Sequence, residues 1–555
     1  MPTPYSAASL ARTSSSGTRS SKDRSSQSHP QTIKLWPPSP STRIMLVERI
    51  TKNLMTPSIF STKYGLLIAD EAEQDACQIE EMAFAFAGVY YEKEPDGDGS
   101  SAVQLYAKES SKNMVEVLKR GPRMINNGAA MIPEEVGGTA DMTFDISGGR
   151  RTLIYAVEAA DLFKPLTLPG NSYQKICFSN KSFGVDAANV VGPILFSLKS
   201  ELREVDLSDF VVGRSEAEAL EVMNIFSKAL EGCDLRYLNL SDNALGEKGI
   251  RAFGSLLGSQ ENLEELYLMN DGISEEAARA VNELIPCTGK LRILHFHNNM
   301  TGDEGALAIS EIVKHSPLLE DFRCSSTRIG SKGGFALAES LEDCTSLRRL
   351  DLCDNMFGVD AGLHLSKTLY ALTNLTEVNL SYLNLEGEAT KAVAIALEKS
   401  AASLEILELA GNDITVKAAS SLGSCVASKE LLTKLNLAEN ELRDEGTILI
   451  AKALEDGHDQ LIEVDLSSNS IRRVGARVLA HAVATKPALK LLNIDGNYIS
   501  EEGIDEVREI LKSSVHVLGP LDENDPDGGD TDEDVQETMV DEYGLELELK
   551  ALEIK

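Results

Sequence analysis

Leucines recur through the second half of the chain in a fixed pattern of apolar and polar positions. Each unit opens with a stretch close to LxxLxLxxNxL, and after a first step of 33 residues the opening leucines follow at intervals of 28 or 29. Within one unit, Leu238 and Leu240 alternate as a strand requires, whereas Ile250, Phe253 and Leu257 return at helical spacing. The opening leucines are Leu202, Leu235, Leu263, Leu291, Leu319, Leu347, Leu375, Leu404, Leu432, Leu461 and Leu489. Each unit is therefore predicted to contain a strand, a turn and a helix.

Units of this length cannot bury an apolar core alone, but stacked units share a continuous one. The sequence predicts an α/β leucine-rich repeat solenoid over 172–518, an arc like that of ribonuclease inhibitor with about 11–12 repeats. Parallel strands are expected on the concave side and helices on the convex side. A looser copy, with Tyr173, Ile176, Phe178 and Phe183 in matching places, is predicted to be the atypical N-terminal capping unit.

An asparagine follows the second leucine of most units by three residues. An amide side chain both donates and accepts hydrogen bonds, so it can satisfy backbone groups in the turn where the strand ends. These ladder asparagines are Asn243, Asn299, Asn355, Asn412, Asn440, Asn469 and Asn497. The other units have Phe210, Asp271, Thr327 and Leu383 at this position. Three of these four departures fall in the first five units, which hints that the loops there are shaped for a partner.

The stretch LYLMNDGIS (266–274) carries an asparagine one position too early. Leu266 and Leu268 keep the phase of the repeat, and Asp271 occupies the ladder position. A carboxylate can still accept a backbone hydrogen bond there, although it lacks the donors of an amide. Asn270 is thus an additional asparagine, and we expect its side chain to point out of the core.

A small all-α domain is predicted over 35–120, before the repeats. Apolar residues recur at helical spacing in three stretches, and the domain opens with LWPP (35–38). Trp36 can close the N-terminal edge of this domain, or together with Pro37 and Pro38 it can bind a partner. Residues 121–171 are interpreted as a linker and lead-in, with a strand at 143–147 and a short helix around 151–163.

The two ends of the chain have compositions typical of disorder. Residues 1–34 are rich in serine with scattered basic residues, which favours a flexible arm over an organelle transit peptide. Residues 519–555 form an acidic tail, because 522–548 contain 13 Asp or Glu and no Lys or Arg. Such a tail is either a solvated segment or a binding element for a basic partner.

The charge and the cysteine content of the chain limit the partners and the kinds of site that it is expected to have. The chain has 53 Lys and Arg against 87 Asp and Glu, a net charge of −34, which argues against nucleic acid and anionic membranes as partners. Its eight cysteines form no CxxC pair, so neither disulfides nor structural zinc is expected. No apolar run approaches the length of a membrane helix, and we expect an intracellular protein without direct membrane insertion.

Motifs for self-contained catalysis are missing from the sequence. There is no GxxxxGK[ST] phosphate loop, GxSxG nucleophile elbow or HExxH zinc motif. His295 and His297 are expected on the concave face, as two exposed polar residues rather than metal ligands. We therefore predict a protein that is not itself an enzyme and that needs no metal or other cofactor.

The combination of features resembles the Ran GTPase-activating protein family. The resemblance rests on units of 28–29 residues, the acidic tail, and LSDFVVGR (207–214), LSDNALG (240–246) and LYLMNDG (266–272) in this order. It implies an enzyme activator that binds GTP-bound Ran, stimulates GTP hydrolysis and keeps cytoplasmic Ran in its GDP form for nucleocytoplasmic transport. It also implies that no arginine finger is inserted and that Ran's own glutamine positions the attacking water.

The resemblance also implies roles for individual residues. The functional arginine of the family falls on Arg214 and its functional asparagine on Asn270, whereas the residue pattern alone would make Arg214 a solvent-facing loop residue. Asn243 belongs to a family motif as well as to the ladder, so it is either structural or partner-binding. Asp271 departs from the family, whose members often carry a second asparagine here, and we include it among the candidate partner-binding residues.

The LWPP segment ahead of three predicted helices resembles the WPP domain of plant nuclear-envelope proteins. This resemblance implies anchoring by coiled-coil proteins at the outer face of the nuclear envelope, and at the cell plate or spindle in dividing cells. Trp36, Pro37 and Pro38 would carry the anchoring. The alternative for the whole chain is a non-catalytic leucine-rich repeat scaffold or inhibitor, which would spread its contacts along the entire concave face.

Overall fold

The computed structural model describes residues 36–38, 40–55, 69–93, 99–120, 142–148, 151–169 and 172–525. The predicted arm at 1–34 and most of the acidic tail lie outside these residues. The chain divides into two compact units, with the boundary between Glu135 and Val136.

The first unit is helical, as the spacing of its apolar residues predicts. Its described helices are α1 (Pro40–Leu54), α2 (Ala69–Lys93) and α3 (Ser100–Arg120). Ile50, Leu54 and Ile79 are buried together, so the apolar faces of the first two helices pack against each other. Glu80 of α2 accepts hydrogen bonds from Arg43 at 2.6 and 2.7 Å, and this bidentate pair joins α1 to α2.

The second unit is built on a sheet of 13 strands that are parallel wherever they pair. Its strand order is β1-β3-β5 and then β6 to β15 in sequence, so each repeat adds one strand beside the preceding one. In nearly every repeat the strand has three residues and only its middle side chain is fully buried, as at Leu238 and Leu266. The strands of the sheet are β1 (Met142–Asp145), β3 (Tyr173–Cys177), β5 (Glu204–Asp206), β6 (Tyr237–Asn239), β7 (Glu265–Tyr267), β8 (Ile293–His295), β9 (Asp321–Arg323), β10 (Arg349–Asp351), β11 (Glu377–Asn379), β12 (Ile406–Glu408), β13 (Lys434–Asn436), β14 (Glu463–Asp465) and β15 (Leu491–Asn493).

Helices return the chain from each strand to the next and bury the apolar residues of the second half of each unit. Helices of successive repeats pack side by side, which confirms the predicted solenoid. The helices are α4 (Ala156–Leu162), α5 (Val185–Ser197), α6 (Glu216–Leu230), α7 (Gly246–Ala252), α8 (Gly254–Leu257), α9 (Glu275–Leu284), α10 (Gly302–Lys314), α11 (Ser331–Ser340), α12 (Gly358–Ala371), α13 (Glu386–Lys399), α14 (Val416–Ala427), α15 (Arg443–Glu455), α16 (Arg473–Val483) and α17 (Glu501–Ile510). In the part of the chain that the structure describes, no helix is both long and apolar enough to cross a membrane.

The ladder asparagines bind the turns of neighbouring repeats to each other. Asn355 is representative: its Oδ1 accepts from the backbone N–H groups of Thr327 and Ile329 at 3.2 and 3.0 Å. Its Nδ2 donates to the carbonyl oxygens of Cys324 and Leu352 at 2.9 and 2.8 Å. The amide therefore satisfies backbone groups of two repeats at once, in agreement with the prediction from the sequence.

The solenoid extends beyond both predicted boundaries. Strand β1 pairs with β3, so part of the region interpreted as linker is the first strand of the sheet. A separate two-stranded parallel sheet joins β2 (Thr152–Ile154) to β4 (Lys181–Phe183), where only a helix was predicted for the first segment. At the other end, Asn524 Oδ1 accepts from the N–H of Asn497 at 3.0 Å, so the start of the predicted tail completes the ladder.

Candidate functional site

The loops at the carboxyl ends of the strands share one unusual backbone conformation. In all eleven units the residue just before the ladder position has a positive φ, between 51° and 64°. Asparagine, aspartate and glycine tolerate this left-handed conformation better than other residues. The residues are Asp209, Asp242, Asn270, Asn298, Ser326, Asp354, Tyr382, Gly411, Glu439, Ser468 and Gly496. Asn270 is therefore the left-handed residue of its repeat, which explains an asparagine one position ahead of the ladder.

Asn270 lies exposed at this edge and is held by residues of both neighbouring repeats. Its Nδ2 donates to Asp242 Oδ1 at 2.7 Å, and its Oδ1 accepts from Asn298 Nδ2. Its backbone N–H donates to the carbonyl oxygen of His297 at 3.3 Å. The side chain points out of the core, as expected, and its neighbours fix the direction of the amide.

Asp271 is fully buried, so its side chain is not available for direct contact with a partner. Its Oδ1 accepts from the N–H of Asn243 at 2.8 Å, as a ladder asparagine would. Its Oδ2 has no hydrogen-bond partner among the described residues. By the register of the repeats, Oδ2 occupies the position from which Asn299 Nδ2 donates to carbonyl oxygens. Burial raises the pKa of Asp271 well above its ordinary value, which favours a neutral carboxyl group that imitates the missing amide.

We expect the Asp271→Asn variant to be more stable than the natural chain at pH 7, by about 1–2 kcal/mol, because an amide donates at this position without first having to take up a proton. The folded chain holds a proton on Asp271 that the unfolded chain releases above about pH 4. Stability from this group is therefore complete below about pH 4 and is lost as the pH rises toward the raised pKa of the folded state. The gain from the substitution should shrink as the pH falls toward 4, as urea denaturation at several pH values can measure.

Asp354→Asn is the matched control for this experiment. Asp354 lies exposed at the left-handed position of its repeat, so the same substitution there makes the same change in charge without altering a buried group. If Asp271→Asn were no more stable than the natural chain at pH 7, the assignment of a neutral buried carboxyl group would be wrong.

The side chain of Asn243 is buried inside the ladder, which supports the structural alternative for this residue. Its Oδ1 accepts from the N–H of Phe210 at 2.9 Å, and its Nδ2 donates to the carbonyl oxygens of Leu207 and Leu240. Only 5% of the residue is exposed. Asn243 can therefore affect a partner only through the loops that its side chain holds in place. The geometry supports a structural role for this residue.

Arg214 is neither solvent-facing nor free to extend from the surface, because only 6% of its side chain is exposed. Its Nη2 donates to the carbonyl oxygens of Ser182 and Ile154 at 2.7 and 3.3 Å. Nη1 donates to Glu218 Oε1 at 3.2 Å, and the guanidinium lies 4.9 Å from the ring centre of Tyr155. Arg214 thus ties the loop before α6 to both strands of the two-stranded sheet.

A shallow depression of about 560 Å³ lies beside Asn270 and crosses four repeats. Its lining includes two large exposed apolar side chains, Met300 and Met356, and between them the cationic side chain of Arg328. These three residues were not among those predicted from the sequence. They occupy the same position, one after the ladder, in three consecutive units, so aligning the units by their ladder positions would have revealed the row.

The centre of the concave face differs from the prediction of two exposed histidines. His295 is buried, and its Nε2 lies 3.1 Å from Asp321 Oδ1. Arg323 and Arg349 also bind Asp321, at 3.0 and 2.7 Å. Burial alone would raise the pKa of Asp321, but its close contacts with His295 and Arg323 hold that pKa well below its usual range. The cluster is a network of cationic and polar side chains around one buried carboxylate, and no group of three or more metal-binding side chains occurs among the described residues.

In the helical unit, Trp36 is buried, so of its two predicted roles the structure supports closure of the domain's N-terminal edge rather than direct contact of its ring with a partner. The ring stacks on Phe84 at 5.2 Å and meets Tyr106 edge-on at 5.6 Å between centroids. Gly99 lies against it, because a Cβ there would come within 2.4 Å of the Cβ of Trp36. Pro37 is exposed and Pro38 is half-buried. Trp36 therefore fixes the segment 36–38, in which Pro37 is the exposed residue.

The protein is a leucine-rich repeat solenoid preceded by a helical domain that opens on a buried tryptophan. These two units define its class. A family model described as the WPP domain matches residues 32–128, and one described as the leucine rich repeat matches 233–254, 400–423 and 429–451. "MFP1 attachment factor 1" of Solanum lycopersicum is 34% identical over 143 residues, which cover 25% of this chain and 92% of that protein.

Two relatives match both units of the chain. "RAN GTPase-activating protein 2" of Arabidopsis thaliana is 67% identical over 503 residues, which cover 91% of this chain and 92% of the relative. "RAN GTPase-activating protein 1" of the same plant is 64% identical over 507 residues, covering 91% and 94%. The chain belongs to the RAN GTPase-activating protein family.

Proposed function

We propose that this chain activates GTP hydrolysis by Ran and thereby keeps cytoplasmic Ran in its GDP form for nucleocytoplasmic transport. The observation that carries the proposal is the position of Asn270. It is an exposed amide, fixed from both sides, on the edge of a rigid solenoid. Near-full-length similarity to two proteins named as RAN GTPase-activating proteins supports the choice of GTPase.

The proposed mechanism is positioning, with Ran supplying the reacting groups. Asn270 would contact GTP-bound Ran and order the segment that carries Ran's glutamine, so that the glutamine positions the attacking water. Ordering groups that are already present lowers the activation barrier without any new chemical group. Activation of this kind requires no catalytic site in this chain that works by itself.

Arg214 would act as a positioning residue in this mechanism. An arginine that inserts into a GTPase must extend from the surface of its own protein. The guanidinium of Arg214 instead donates hydrogen bonds to three residues of this chain. We infer that Arg214 holds the first loops of the solenoid in the shape that Ran meets. Its effect on hydrolysis would then pass through those loops rather than through direct contact with the nucleotide.

Single-turnover hydrolysis of GTP on purified Ran, with and without the full chain, tests the proposal. Substoichiometric amounts of the chain should accelerate hydrolysis, because an activator is released after each event. A rate unchanged by stoichiometric chain would contradict the proposal and favour the non-catalytic scaffold or inhibitor.

We further propose that the helical unit anchors the chain at the outer face of the nuclear envelope through coiled-coil anchor proteins. In dividing cells, the same unit would direct it to the cell plate or spindle. The match of residues 32–128 to the WPP domain supports anchoring by this unit. Pro37 would contact the anchor directly, whereas Trp36 would act by holding that segment against α2 and α3.

Replacing Pro37 by alanine should release a fluorescent fusion of the chain from the nuclear rim and should destabilise the helical unit less than Trp36→Ala does, because Pro37 is exposed. Trp36→Ala should release the fusion and also destabilise the unit by about 3–5 kcal/mol, since it removes a buried aromatic side chain. Rim fluorescence and circular dichroism of the two variants separate these effects. Undiminished rim staining of the Pro37 variant would place anchoring elsewhere.

A further inference from the structure

One row of side chains beside Asn270 has a composition that the fold does not explain. Met300, Arg328 and Met356 follow the ladder position in three consecutive repeats. Met300 and Met356 are 48% and 56% exposed, although apolar side chains of this size gain free energy when they are buried. Neighbouring strands lie about 4.8 Å apart, so the three residues form a continuous strip. We call this strip the Met-Arg-Met row.

Arg328 is the cation at the centre of this row. Its side chain forms neither an ion pair nor a hydrogen bond with the residues that the structure describes. Asp354 lines the same depression without pairing with it. The chain as a whole has a net charge of −34. An exposed arginine that lies between two methionines, and forms no ion pair with the described residues, is therefore unusual for this chain.

The row also reaches the amide that carries the proposed function. At Gly272, whose φ is +62°, a Cβ would lie 3.9 Å from Met300 Cε, so the tip of Met300 extends over that glycine. Gly272 is two residues after Asn270, and both line the same depression. A partner that touches Asn270 is thus in reach of Met300 and Arg328.

The chemistry of the row fits one kind of occupant. Arginine and methionine are enriched in protein interfaces, and apolar neighbours strengthen a central ion pair because they exclude water from it. The complement of Arg328 is a carboxylate on a partner protein, with apolar atoms on either side for the two methionines.

We propose that the Met-Arg-Met row is a docking site for the GTPase, in which Arg328 pairs with an acidic side chain of Ran. The inference rests on the proposed function, and it assigns binding to this row while Asn270 governs the rate of the bound complex. Removing the row should therefore weaken binding more than it slows hydrolysis once Ran is bound.

Steady-state activation assays on the full chain, with GTP-bound Ran as the substrate, separate these two effects. Arg328→Glu should raise KM for GTP-bound Ran about tenfold or more and leave kcat within about twofold. Arg328→Lys should restore part of the affinity, because it keeps the charge but not the bidentate geometry. Raising the salt concentration should increase KM of the natural chain more steeply than KM of Arg328→Gln.

Lys367→Glu is the matched control, because Lys367 is an exposed cation on helix α12 and its reversal changes the net charge equally. It should leave KM nearly unchanged. If the natural chain failed to accelerate hydrolysis at all, the proposed function itself would be refuted. If it accelerated hydrolysis and Arg328→Glu matched it in KM, only the docking proposal would be overturned. A large fall in kcat at unchanged KM would also overturn it.

Discussion

Replacing Asn270 by alanine should lower the stimulated rate of GTP hydrolysis at saturating chain about 10²-fold or more, while the solenoid remains folded. The side chain is exposed, and among the residues that the structure describes it makes hydrogen bonds only to Asp242 and Asn298, which water can replace. The stability cost should therefore be small, about 1 kcal/mol, and come mainly from alanine in a left-handed conformation. Single-turnover hydrolysis with saturating variant measures the loss.

Removal of the amide itself would cause this fall in rate. Positioning acts through a group that is already oriented in the free protein, and the amide of Asn270 is such a group. The two neighbouring side chains fix which end of the amide donates and which accepts, so little entropy is lost when Ran binds. Alanine offers Ran neither function. The bound complex would then spend most of its time with the attacking water out of line.

Two further variants separate the amide from the backbone strain. Asn384 is also an exposed asparagine, with a φ of 56°, and it lies remote from Asn270 in the sequence. Asn384→Ala should carry a similar strain and retain full stimulation. Asn270→Gly relieves the strain but lacks the amide, so it should remain as inactive as Asn270→Ala. Stimulation by Asn270→Gly at the rate of the natural chain would refute the role of the amide.

The sequence predicts the solenoid well because its main determinant is local and repeated. The spacing of the opening leucines fixes one strand for each unit, and the structure places Leu238, Leu266 and their equivalents in the core. The ladder role of the asparagines also follows from chemistry, since only an amide serves donors and acceptors of two adjacent turns. These predictions needed no knowledge of how distant parts of the chain meet.

The errors concern contacts between segments that the sequence does not connect. Arg214 follows a glycine in a loop and has the composition of a surface residue, yet its partners are Ser182 and Ile154, 32 and 60 positions away. The ring of Trp36 is likewise buried by side chains from α2 and α3. No periodicity within one segment encodes such contacts, so the sequence could not predict the burial of Arg214 and left Trp36 open between the edge of its domain and a partner.

Asn270 differs from these cases, because its outward direction was expected and the reason for its place was present in the sequence. Each of the eleven units has a left-handed residue just before the ladder position, and seven of these residues are Asn, Asp or Gly. The backbone requirement explains why an asparagine is tolerated there. It does not explain the choice of asparagine over aspartate, which Asp242 and Asp354 show to be equally compatible with the fold. That choice is where we expect the function to act.

Asn299→Ala should lower the free energy of unfolding by about 3 kcal/mol and also reduce stimulation about tenfold, although Asn270 itself is unchanged. Asn299 Oδ1 accepts from the N–H groups of Asp271 and Ile273 at 3.1 and 2.9 Å, so it holds the backbone that follows Asn270. Its Nδ2 donates to the carbonyl oxygens of Leu268 and Phe296. Each buried backbone group left unpaired costs about 1–3 kcal/mol. Urea denaturation and single-turnover hydrolysis measure the two effects.

Asn440→Ala is the control that separates a general loss of stability from a local loss of position. Asn440 Oδ1 accepts from the N–H groups of Asn412 and Ile414, both at 3.0 Å, so the same set of bonds is lost far along the ladder from Asn270. Both variants should lose similar stability, but only Asn299→Ala should lose stimulation under conditions where both are folded. Faster hydrogen exchange at Asp271 and Ile273 should accompany that loss. Equal stimulation by the two variants would show that the loop of Asn270 needs no fixed backbone, and positioning would then be the wrong mechanism.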